Sequence, residues 1–478
     1  MFLETVKTEG LSIYTYLFGC GDEAAVIDPN RDIQPLLDRI EAKNVTLNYI
    51  FETHIHADFL SGARELANAT GATIVASGEG LNGESTNYGY DSITTANNGD
   101  HFRIGQVEIS GVHTPGHTPE HMSYLLTDHA RSTDPIMMFT GDFLFVGSIG
   151  RPDLLGGDSV RPLASALYDT LYEGSVTELP DHILVLPGHG SGSACGKAIG
   201  DVPTSTLGTE RLLNEAFQFK GKRDAFIDYI LKDQPAAPRY FPMMKKLNRQ
   251  GPPILNNPNL TEIPFYRVDQ FINKIWDKKK GQPVSNVQLL DLRKPTAFAG
   301  GHIPKSISIW YSDSVATWAG WTLNFNDPIY LIHDNDAELK DAVKQLRLVG
   351  FDNIAGALYN GFDSWQTSGY PISKIPTIDV YELKNKLNSD DLEILDVRTP
   401  NEYQTEHIED SIHIEAGYVI EQIDELDPDK TYAILCGGGY RATIAASLLV
   451  KHGFDNISII LGGMSAWKDQ KALVSAAS

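Results

Sequence analysis

Cysteine is scarce in this sequence, with 3 residues in a chain of 478. So few cysteines cannot build a disulfide framework, and an odd number would strand one thiol in an oxidising compartment. A reducing compartment fits better, and we therefore expect a cytoplasmic protein. The start of the chain agrees with this, because Glu4 and Glu9 interrupt any apolar run and there is no basic leader of the kind that signal peptides carry.

Long apolar runs and strongly basic segments are also missing. No apolar stretch approaches the length that spans a bilayer, so no membrane association is expected. The formal net charge is -23, and the short basic run 278–280 does not offset it against a phosphate backbone. Nucleic-acid binding is therefore disfavoured. Low-complexity tracts are absent too, and 42% hydrophobic with 21% charged residues is typical of a globular protein.

The length predicts about three domains. A Pro- and Asn-rich stretch at 235–259 is typical of a surface connection, and the chain after it contains an internal repeat. LLDLRKPTAFAGGHIPKSISI, from Leu289, parallels ILDVRTPNEYQTEHIEDSIHI, from Ile394, and GFDNIAGALYNGFDSW parallels GFDNISIILGGMSAW. We therefore predict three α/β domains, at residues 1–245, 262–372 and 376–478.

The first domain alternates short β-rich runs with helical segments, and many of the runs end in His or Asp. AAVIDP, LNYIFETH, ATIVAS, VEISGVHTPGH, IMMFTGD and HILVLPGHG predict strands, whereas residues 33–43 and 61–70 have helical spacing. A single His-x-His pair would be compatible with an ordinary polar loop. The repeated placement predicts a metal site instead, because buried His and Asp are costly unless they are paired or bind a metal. The candidate residues are His54, His56, Asp58, His117, Asp142 and His189.

These motifs, together with FTGDFLFVGSIGRPDL, resemble the metallo-β-lactamase family and in particular its persulfide dioxygenase and glyoxalase II branch. The resemblance covers roughly residues 1–240 and implies an αββα sandwich in which His54, His117 and Asp142 bind one metal. A second metal in this family needs an Asp-His pair at the end of the first motif, where this sequence has Asp58-Phe59. Since a phenyl ring has no lone pair to donate, one metal per chain is expected.

Two imidazoles and one carboxylate with open positions are the ligand set of non-haem Fe(II) oxygenases, whereas a two-zinc hydrolase needs both sites. The sequence therefore favours one Fe(II), although zinc could occupy the site after purification. His56, Asp58 and His189 are expected to orient ligands or substrate, with ordinary loop contacts as the alternative. Arg151 matches a position that contacts substrate in relatives, and a plain surface ion pair is its alternative.

The C-terminal repeat carries YAILCGGGYRATIAASLLV, which places Cys436 between an apolar strand and a helical pattern. Backbone N–H groups of a glycine loop at a helix N-terminus lower a thiol pKa and stabilise an anionic persulfide, whereas a buried inert cysteine is the alternative. With DVRTPNEYQTEHI and GGMSAW, the loop resembles the rhodanese family and has the spacing of its sulfurtransferases. This resemblance implies that Cys436 and Arg441 are catalytic. The loop residues expected to bind substrate are Gly437, Gly438 and Gly439.

The middle repeat keeps the rhodanese frame but reads YLIHDNDAELKDA at the loop position. His333 or Asp334 stands where the cysteine should be, and neither can carry sulfane sulfur. Asp336 and its acidic neighbours would also repel an anionic donor. We predict an inactive module that holds the other two domains in place, with regulation or partner docking as open alternatives.

Two further cysteines precede the repeats. Cys195 lies six residues after His189, and triple-domain fusions of the sulfide-detoxification type, which this chain resembles, carry a cysteine at the matching point. A catalytic role in receiving or passing sulfur is one hypothesis for Cys195, and a local structural role is the other. Cys20 is expected to be structural.

Taken together, the resemblances imply a persulfide dioxygenase fused to a sulfurtransferase. The expected small-molecule partners are a thiol persulfide, O2, and sulfite or thiosulfate, and a homo-oligomer is expected. One alternative is a glyoxalase II-type zinc thioester hydrolase with rhodanese appendages. The other, from a different class, is a non-oxidising sulfur-relay protein.

Overall fold

The structure is a computed structural model that describes residues 1–90, 92–255, 259–277, 279–387 and 392–476. Lys278 of the short basic run and residues 256–258 of the predicted connection lie outside the described residues. The chain divides into two compact units, Met1–Leu260 with Arg347–Gly350, and Thr261–Leu346 with Phe351–Ser478. Among the described residues, no helix combines the length and apolar character needed to cross a membrane.

The first unit contains two six-stranded sheets. One has the order β1-β2-β3-β4-β5-β6, with strands at Phe2–Thr8, Ile13–Cys20, Glu23–Ile27, Thr46–Phe51, Thr73–Ser77 and Ile93–Ala96. The other has the order β14-β13-β10-β9-β8-β7. Its strands are β7 (His101–Ile104), β8 (Val107–His113), β9 (Met122–Asp128), β10 (Met137–Gly141), β13 (Leu184–Pro187) and β14 (Ser205–Thr206). Strands β11 (Leu144–Phe145) and β12 (Ser148–Ile149) form a two-stranded antiparallel ribbon.

Helices cover the outer faces of both sheets. The helices are α1 (Gln34–Lys43), α2 (Ala63–Thr70), α3 (Val160–Tyr172), α4 (Leu207–Leu213), α5 (Arg223–Leu231) and α6 (Phe241–Gln250). Leu36 and Leu66 pack on the first sheet, and Leu167 and Phe226 pack on the second. A third apolar layer, with Phe18 and residues of both sheets, lies between them. This layering confirms the predicted αββα sandwich and explains why β2, β9 and β10 are buried on both faces.

The predicted strands and helices of this domain are confirmed as β3, β4, β5, β8, β10 and β13, and as α1 and α2. Four of these strands deliver a site residue just past their carboxyl ends. β4 leads to His54, β8 to His117, β10 to Asp142 and β13 to His189. The chemistry therefore lies on loops that a rigid pair of sheets holds in place.

The second unit contains two five-stranded parallel sheets with the same strand order, which confirms the repeat. The first, β15-β21-β20-β18-β19, has strands β15 (Phe265–Tyr266), β18 (Gln288–Asp291), β19 (Ile307–Ser308), β20 (Ile329–Ile332) and β21 (Ile354–Leu358), with a ribbon of β16 (Trp276–Asp277) and β17 (Gln282–Pro283). Its helices are α7 (Val268–Ile275), α8 (Pro295–Gly300), α9 (Val315–Thr322), α10 (Asp336–Leu348) and α11 (Gly361–Gln366).

The second sheet of this unit has the order β22-β26-β25-β23-β24. Its strands are β22 (Thr377–Ile378), β23 (Leu392–Asp396), β24 (Ile412–His413), β25 (Thr431–Leu435) and β26 (Ile457–Ile460). Its helices are α12 (Val380–Lys386), α13 (Pro400–Thr405), α14 (Tyr440–Lys451) and α15 (Gly463–Ala476). The predicted fold class is therefore confirmed, whereas the exact domain bounds stay a prediction.

Candidate metal centre and sulfur-transfer loop

Three buried side chains of the first unit converge on one point. Oδ2 of Asp142 lies 3.8 Å from Nε2 of His54 and 3.6 Å from Nε2 of His117. None of these three atoms has a hydrogen-bond partner in the described part of the chain. Because buried polar atoms are rarely left without partners, this trio fits a bound metal ion, and all three atoms lie within 4.8 Å of one another. The structure thus brings together the three predicted ligands.

Both histidines of the trio are oriented by a hydrogen bond on their other nitrogen. The Thr53 hydroxyl donates to Asp28 at 2.8 Å, so its oxygen accepts from Nδ1 of His54 at 2.9 Å. Nδ1 of His117 donates to the carbonyl oxygen of Arg151 at 2.9 Å. Burial lowers the pKa of both rings below the ordinary value, so they stay neutral. Each therefore presents the lone pair of Nε2 to the metal position.

His189 links two carboxylates behind the trio. Its Nδ1 lies 2.7 Å from Oδ1 of Asp142, and its Nε2 lies 2.7 Å from Oδ2 of Asp58. Burial by itself lowers the pKa of His189, but the two carboxylates outweigh burial and raise this pKa well above the ordinary value. Burial raises the pKa of Asp142, yet His189 outweighs it and holds that pKa well below its usual range. Asp142 is therefore an anionic ligand with Oδ2 free.

His56 is occupied by a separate buried group. Its Nε2 lies 3.2 Å from Asp28 and 3.6 Å from Glu52. Burial lowers the pKa of His56, but these carboxylates outweigh it and raise the pKa to about 9. The ring of Phe59, which is fully buried, lies 4.3 Å from the His56 ring. The apolar ring of Phe59 therefore lies beside His56, at the position where a second metal would need an imidazole ligand.

Cys195 lies beside the same carboxylates as His189. The ligand atoms of Cys195, Asp58 and His189 are within 4.8 Å of one another, and the cysteine is fully buried. Burial raises the pKa of this thiol well above its usual value, and Asp58 and Asp142 raise it further. The thiol is therefore protonated. Its role in passing sulfur stays a prediction, but the structure places it at the centre rather than on a distant loop.

Arg151 is engaged by the protein on all its nitrogens. Nε and Nη2 donate to the carboxylate of Asp153, each at 2.7 Å, and Nη2 also donates to the carbonyl oxygen of Pro235 at 2.6 Å. Nη1 donates to the carbonyl oxygen of Ala194 at 3.3 Å, next to Cys195. The sequence left a surface ion pair as the alternative to substrate contact, whereas this ion pair has a buried arginine. Arg151 thus orients the loop of Cys195 and, through its own carbonyl, His117.

The sequence reasoning missed residues that support the trio. Nε2 of His121 accepts a hydrogen bond from the backbone N–H of Asp142 at 3.0 Å, and Nδ1 pairs with the Thr114 hydroxyl at 2.8 Å. The spacing of the histidines in HTPGHTPEH was a usable signal for this position. Asp28, which follows β3, also carried the strand-end pattern that identified the other acidic residues.

The loop predicted to transfer sulfur lies in the second unit, directly after β25. Sγ of Cys436 accepts a hydrogen bond from the backbone N–H of Gly439 at 3.0 Å. The carbonyl of Cys436 accepts from the N–H of Met464 at 2.8 Å, at the start of α15. A Cβ at Gly463 would lie 2.2 Å from that carbonyl oxygen, and its φ is +55°, so glycine is required there. The carbonyl of Cys436 is thus hydrogen-bonded away from the loop, and the N–H of Gly439 faces the sulfur.

Arg441 is held beside this loop by an acidic residue that the sequence reasoning missed. Its Nη1 and Nη2 donate to the two carboxylate oxygens of Glu402 at 2.6 Å and 2.8 Å. The hydrogen bonds from Arg441 lower the pKa of Glu402 from 4.5 to about 2. The pair is bidentate, which fixes the plane of the guanidinium group.

The middle domain shows which residue replaces the cysteine. His333 follows β20 as Cys436 follows β25, and a Cβ at Gly361 would lie 1.8 Å from the carbonyl oxygen of His333. This contact matches the one between Gly463 and Cys436. His333, rather than Asp334, therefore occupies the cysteine position, which supports the prediction that this module carries no sulfur.

Family models match both units. The metallo-beta-lactamase superfamily model matches residues 8–189, and the rhodanese-like domain model matches residues 271–368 and 379–470. A crystal structure titled metallo-beta-lactamase, from Staphylococcus aureus, is 36% identical with a TM-score of 0.64, and the match covers 75% of this chain and 98% of that chain.

Relatives of the first unit include both of the chemistries that the sequence left open. The hydroxyacylglutathione hydrolase of Haemophilus influenzae is 30% identical, over 36% of this chain and 83% of its own length. The mitochondrial persulfide dioxygenase of Bos taurus is 31% identical, over 42% of this chain and 70% of its own length. The choice between hydrolase and dioxygenase therefore depends on the site.

We expect His117→Ala to lower metal content sharply. The ring supplies one of three ligand atoms, and even contacts outside the ligand set are worth about 10- to 100-fold in metal affinity. Metal per chain, measured by mass spectrometry after dialysis against limiting metal, should fall by more than about tenfold. His182→Ala, at an exposed histidine of the same domain, is the matched control. Equal metal content in both variants would remove His117 from the ligand set.

A pH-dependent contribution to stability is expected from Glu402. Its folded pKa lies below the unfolded value, so the stabilisation is present above pH 4.5 and is lost as the pH falls toward about 2. Urea unfolding of wild type and Glu402→Gln should differ by about 0.2–1 kcal/mol at pH 7, since the pair is partly exposed. The difference should shrink from pH 5 to pH 3. Glu409→Gln, at an exposed position, should show no such trend.

Proposed function

Because the chain belongs to the metallo-β-lactamase superfamily and carries two rhodanese-like domains after that domain, we propose that it is a persulfide dioxygenase with sulfurtransferase activity. Its substrate is the persulfide of a low-molecular-weight thiol, which O2 oxidises to sulfite. Cys436 then carries sulfane sulfur between sulfite, thiosulfate and persulfide. The fusion keeps a reactive sulfur species at high effective concentration.

One observation carries the choice of dioxygenase over hydrolase. Two imidazole nitrogens and one carboxylate oxygen meet without partners, and Phe59 stands where a second metal would need an imidazole. His189, a residue that could serve a second metal, is already hydrogen-bonded on both nitrogens. A single ion held by two histidines and a carboxylate is the ligand set of non-haem iron oxygenases. A two-metal hydrolase would need both sites.

His54, His117 and Asp142 would hold the iron, which supplies redox chemistry and open positions for small ligands. The chain's own residues set the state of those ligands. His189 keeps Asp142 ionised, His121 fixes its backbone, and Phe145 and Ile199 pack around Cys195. In the overall reaction, the outer sulfur of the persulfide loses four electrons to O2. The two oxygen atoms of O2 and one from water end in sulfite, and the thiol leaves with a proton.

At the rhodanese loop, the reaction is exchange at sulfur. The Cys436 thiolate attacks the sulfane sulfur of thiosulfate, a sulfur–sulfur bond forms to Sγ, and sulfite leaves with the electron pair of the broken bond. The reverse reaction makes thiosulfate from sulfite. The N–H of Gly439 stabilises the anionic sulfur in both directions, and Arg441 adds a positive charge beside it.

The proposal predicts O2 consumption with thiol persulfides by iron-loaded full-length protein. Glutathione, coenzyme A and bacillithiol persulfides should be compared, with sulfite and thiosulfate measured together with O2. Asp142→Ala should abolish O2 uptake but leave the Cys436 persulfide formed from thiosulfate. Cys436→Ser should give sulfite without thiosulfate. Two zinc ions per chain with no O2 uptake would establish the hydrolase instead, and a Cys436 persulfide without any sulfite in wild type would favour the relay.

Phe59→His tests the role of the aromatic ring in keeping one metal. Supplying an imidazole beside Asp58 is expected to raise bound metal from one ion per chain toward two under zinc loading, because the missing ligand is restored. Phe59→Leu, which keeps an apolar side chain, should stay at one. Metal analysis and anomalous diffraction can count the ions. If the histidine variant still binds one ion, Phe59 does not set the stoichiometry.

A further inference from the structure

Helix α14, which begins at the end of the Cys436 loop, is buried over most of its circumference. Its buried residues run without a break from Ala442 to Leu449. A helix that is apolar on all faces must be covered on all faces. Its own sheet covers one side, where it packs against β25 and β26. Another layer must therefore cover the opposite side.

The middle rhodanese-like domain supplies that layer. Phe298 and Ala299 of its α8 belong to the same apolar cluster as Ala442 and Ala445 of α14. The backbone N–H of Ser308, in edge strand β19, donates to the hydroxyl of Ser447 at 3.1 Å. These contacts make the middle domain part of the environment of the helix that follows the catalytic loop.

The loop itself is held through Tyr440. Its ring meets two tryptophans of the middle domain edge-on, Trp310 at 6.0 Å and Trp318 at 6.2 Å, both with interplanar angles of 85°. Its hydroxyl donates to the carbonyl oxygen of Trp310 at 3.3 Å. Edge-to-face aromatic pairs of this kind add about 0.5–1.5 kcal/mol beyond buried area. We call Tyr440, Trp310 and Trp318 the aromatic clamp.

Because of its position in the chain, Tyr440 links the aromatic clamp to the residues that surround the Cys436 sulfur. Tyr440 lies between Gly439, whose N–H donates to Sγ of Cys436, and Arg441, whose guanidinium is held by Glu402. Gly439 has a φ of +110°, a conformation that glycine adopts freely along with many others, so the loop does not fix its own geometry. Fixing the Tyr440 ring therefore fixes the backbone that presents the N–H to sulfur.

We propose that the middle domain is a positioning element of the sulfur-transfer site, acting through the clamp of Trp310 and Trp318 on Tyr440 to hold the Gly439 N–H against the Cys436 sulfur. Tyr440 and the two tryptophans are positioning residues, since they act through the loop rather than on substrate. An effect of the middle domain on the rate of sulfur transfer rests on the proposed function. Its effect on the hydrogen bond from Gly439 to the Cys436 sulfur is independent of that function.

The test measures the pH profile of Cys436 alkylation in reduced full-length protein, with the modified residue identified by mass spectrometry. Trp318→Ala lies in another domain from the thiol, yet it should move the midpoint of the profile to higher pH, because the Gly439 N–H is no longer held against the sulfur. Tyr440→Ala should shift it in the same direction. Tyr440→Phe keeps the ring and should stay near wild type. Tyr359→Ala, at an exposed tyrosine of the middle domain, is the matched control.

Trp318→Phe covers the case in which the alanine variants unfold. It keeps an aromatic side chain but reduces the contact with the Tyr440 ring, so hydrogen exchange of the backbone at 437–441 should rise above wild type while the far-ultraviolet circular dichroism is unchanged. A wild-type alkylation midpoint in folded Trp318→Ala, or unchanged exchange in Trp318→Phe, overturns the clamp. Sulfur transfer from thiosulfate is measured in parallel. If wild type transfers none while the midpoint shifts as expected, the proposed function fails and the clamp stands.

Discussion

The need to neutralise buried carboxylates organises the N-terminal site. Acidic side chains with almost no exposed surface lie in its interior, among them Asp28, Glu52, Asp58 and Asp142. An isolated charge there would cost several kcal/mol, so each carboxylate must be paired, protonated or bound to a cation. His189 serves Asp58 and one oxygen of Asp142, and His56 serves Asp28 and Glu52. Oδ2 of Asp142 faces two neutral imidazoles without a partner among the described residues, and a metal ion there would complete this balance.

The same balance shows how far the sequence could predict the site. The strand-end pattern placed His54, His117 and Asp142 correctly in one region, because strands that run in the same direction deliver their carboxyl ends to the same edge of a sheet. The pattern could not show that His189 joins Asp58 and Asp142, which lie 131 and 47 residues away along the chain. Pairings of this kind depend on how two sheets pack. Arg151 illustrates the same limit. Its place in the sequence was compatible with substrate contact or with an ion pair, and only the structure shows that Asp153 engages its guanidinium.

The two rhodanese-like modules share a buried Arg–Asp pair but differ at the cysteine position, so comparing them distinguishes residues that the fold requires from residues that the proposed chemistry requires. In each module a buried arginine donates Nε and Nη2 to the aspartate two residues before it, Arg293 to Asp291 and Arg398 to Asp396. The pairs have the same atoms and nearly the same distances, although one module has lost its cysteine. Removing one partner of such a pair would leave an uncompensated buried charge, so this feature is kept for folding. The repeat was therefore easy to recognise from sequence, although His333 stands in the middle module at the position that Cys436 occupies in the last one.

The sulfur-transfer loop must hold an anion in a chain whose formal net charge is -23. The side-chain cations near it are partly offset by carboxylates, because Arg398 is paired with Asp396 and Arg441 is paired with Glu402. Backbone N–H groups then carry much of the stabilisation of the sulfur anion, and their direction depends on loop conformation rather than on residue identity. A loop of three glycines cannot fix its own conformation. Contacts from outside the loop, from the start of α15 below it and from the aromatic residues around Tyr440 beside it, are what turn a flexible segment into an anion site.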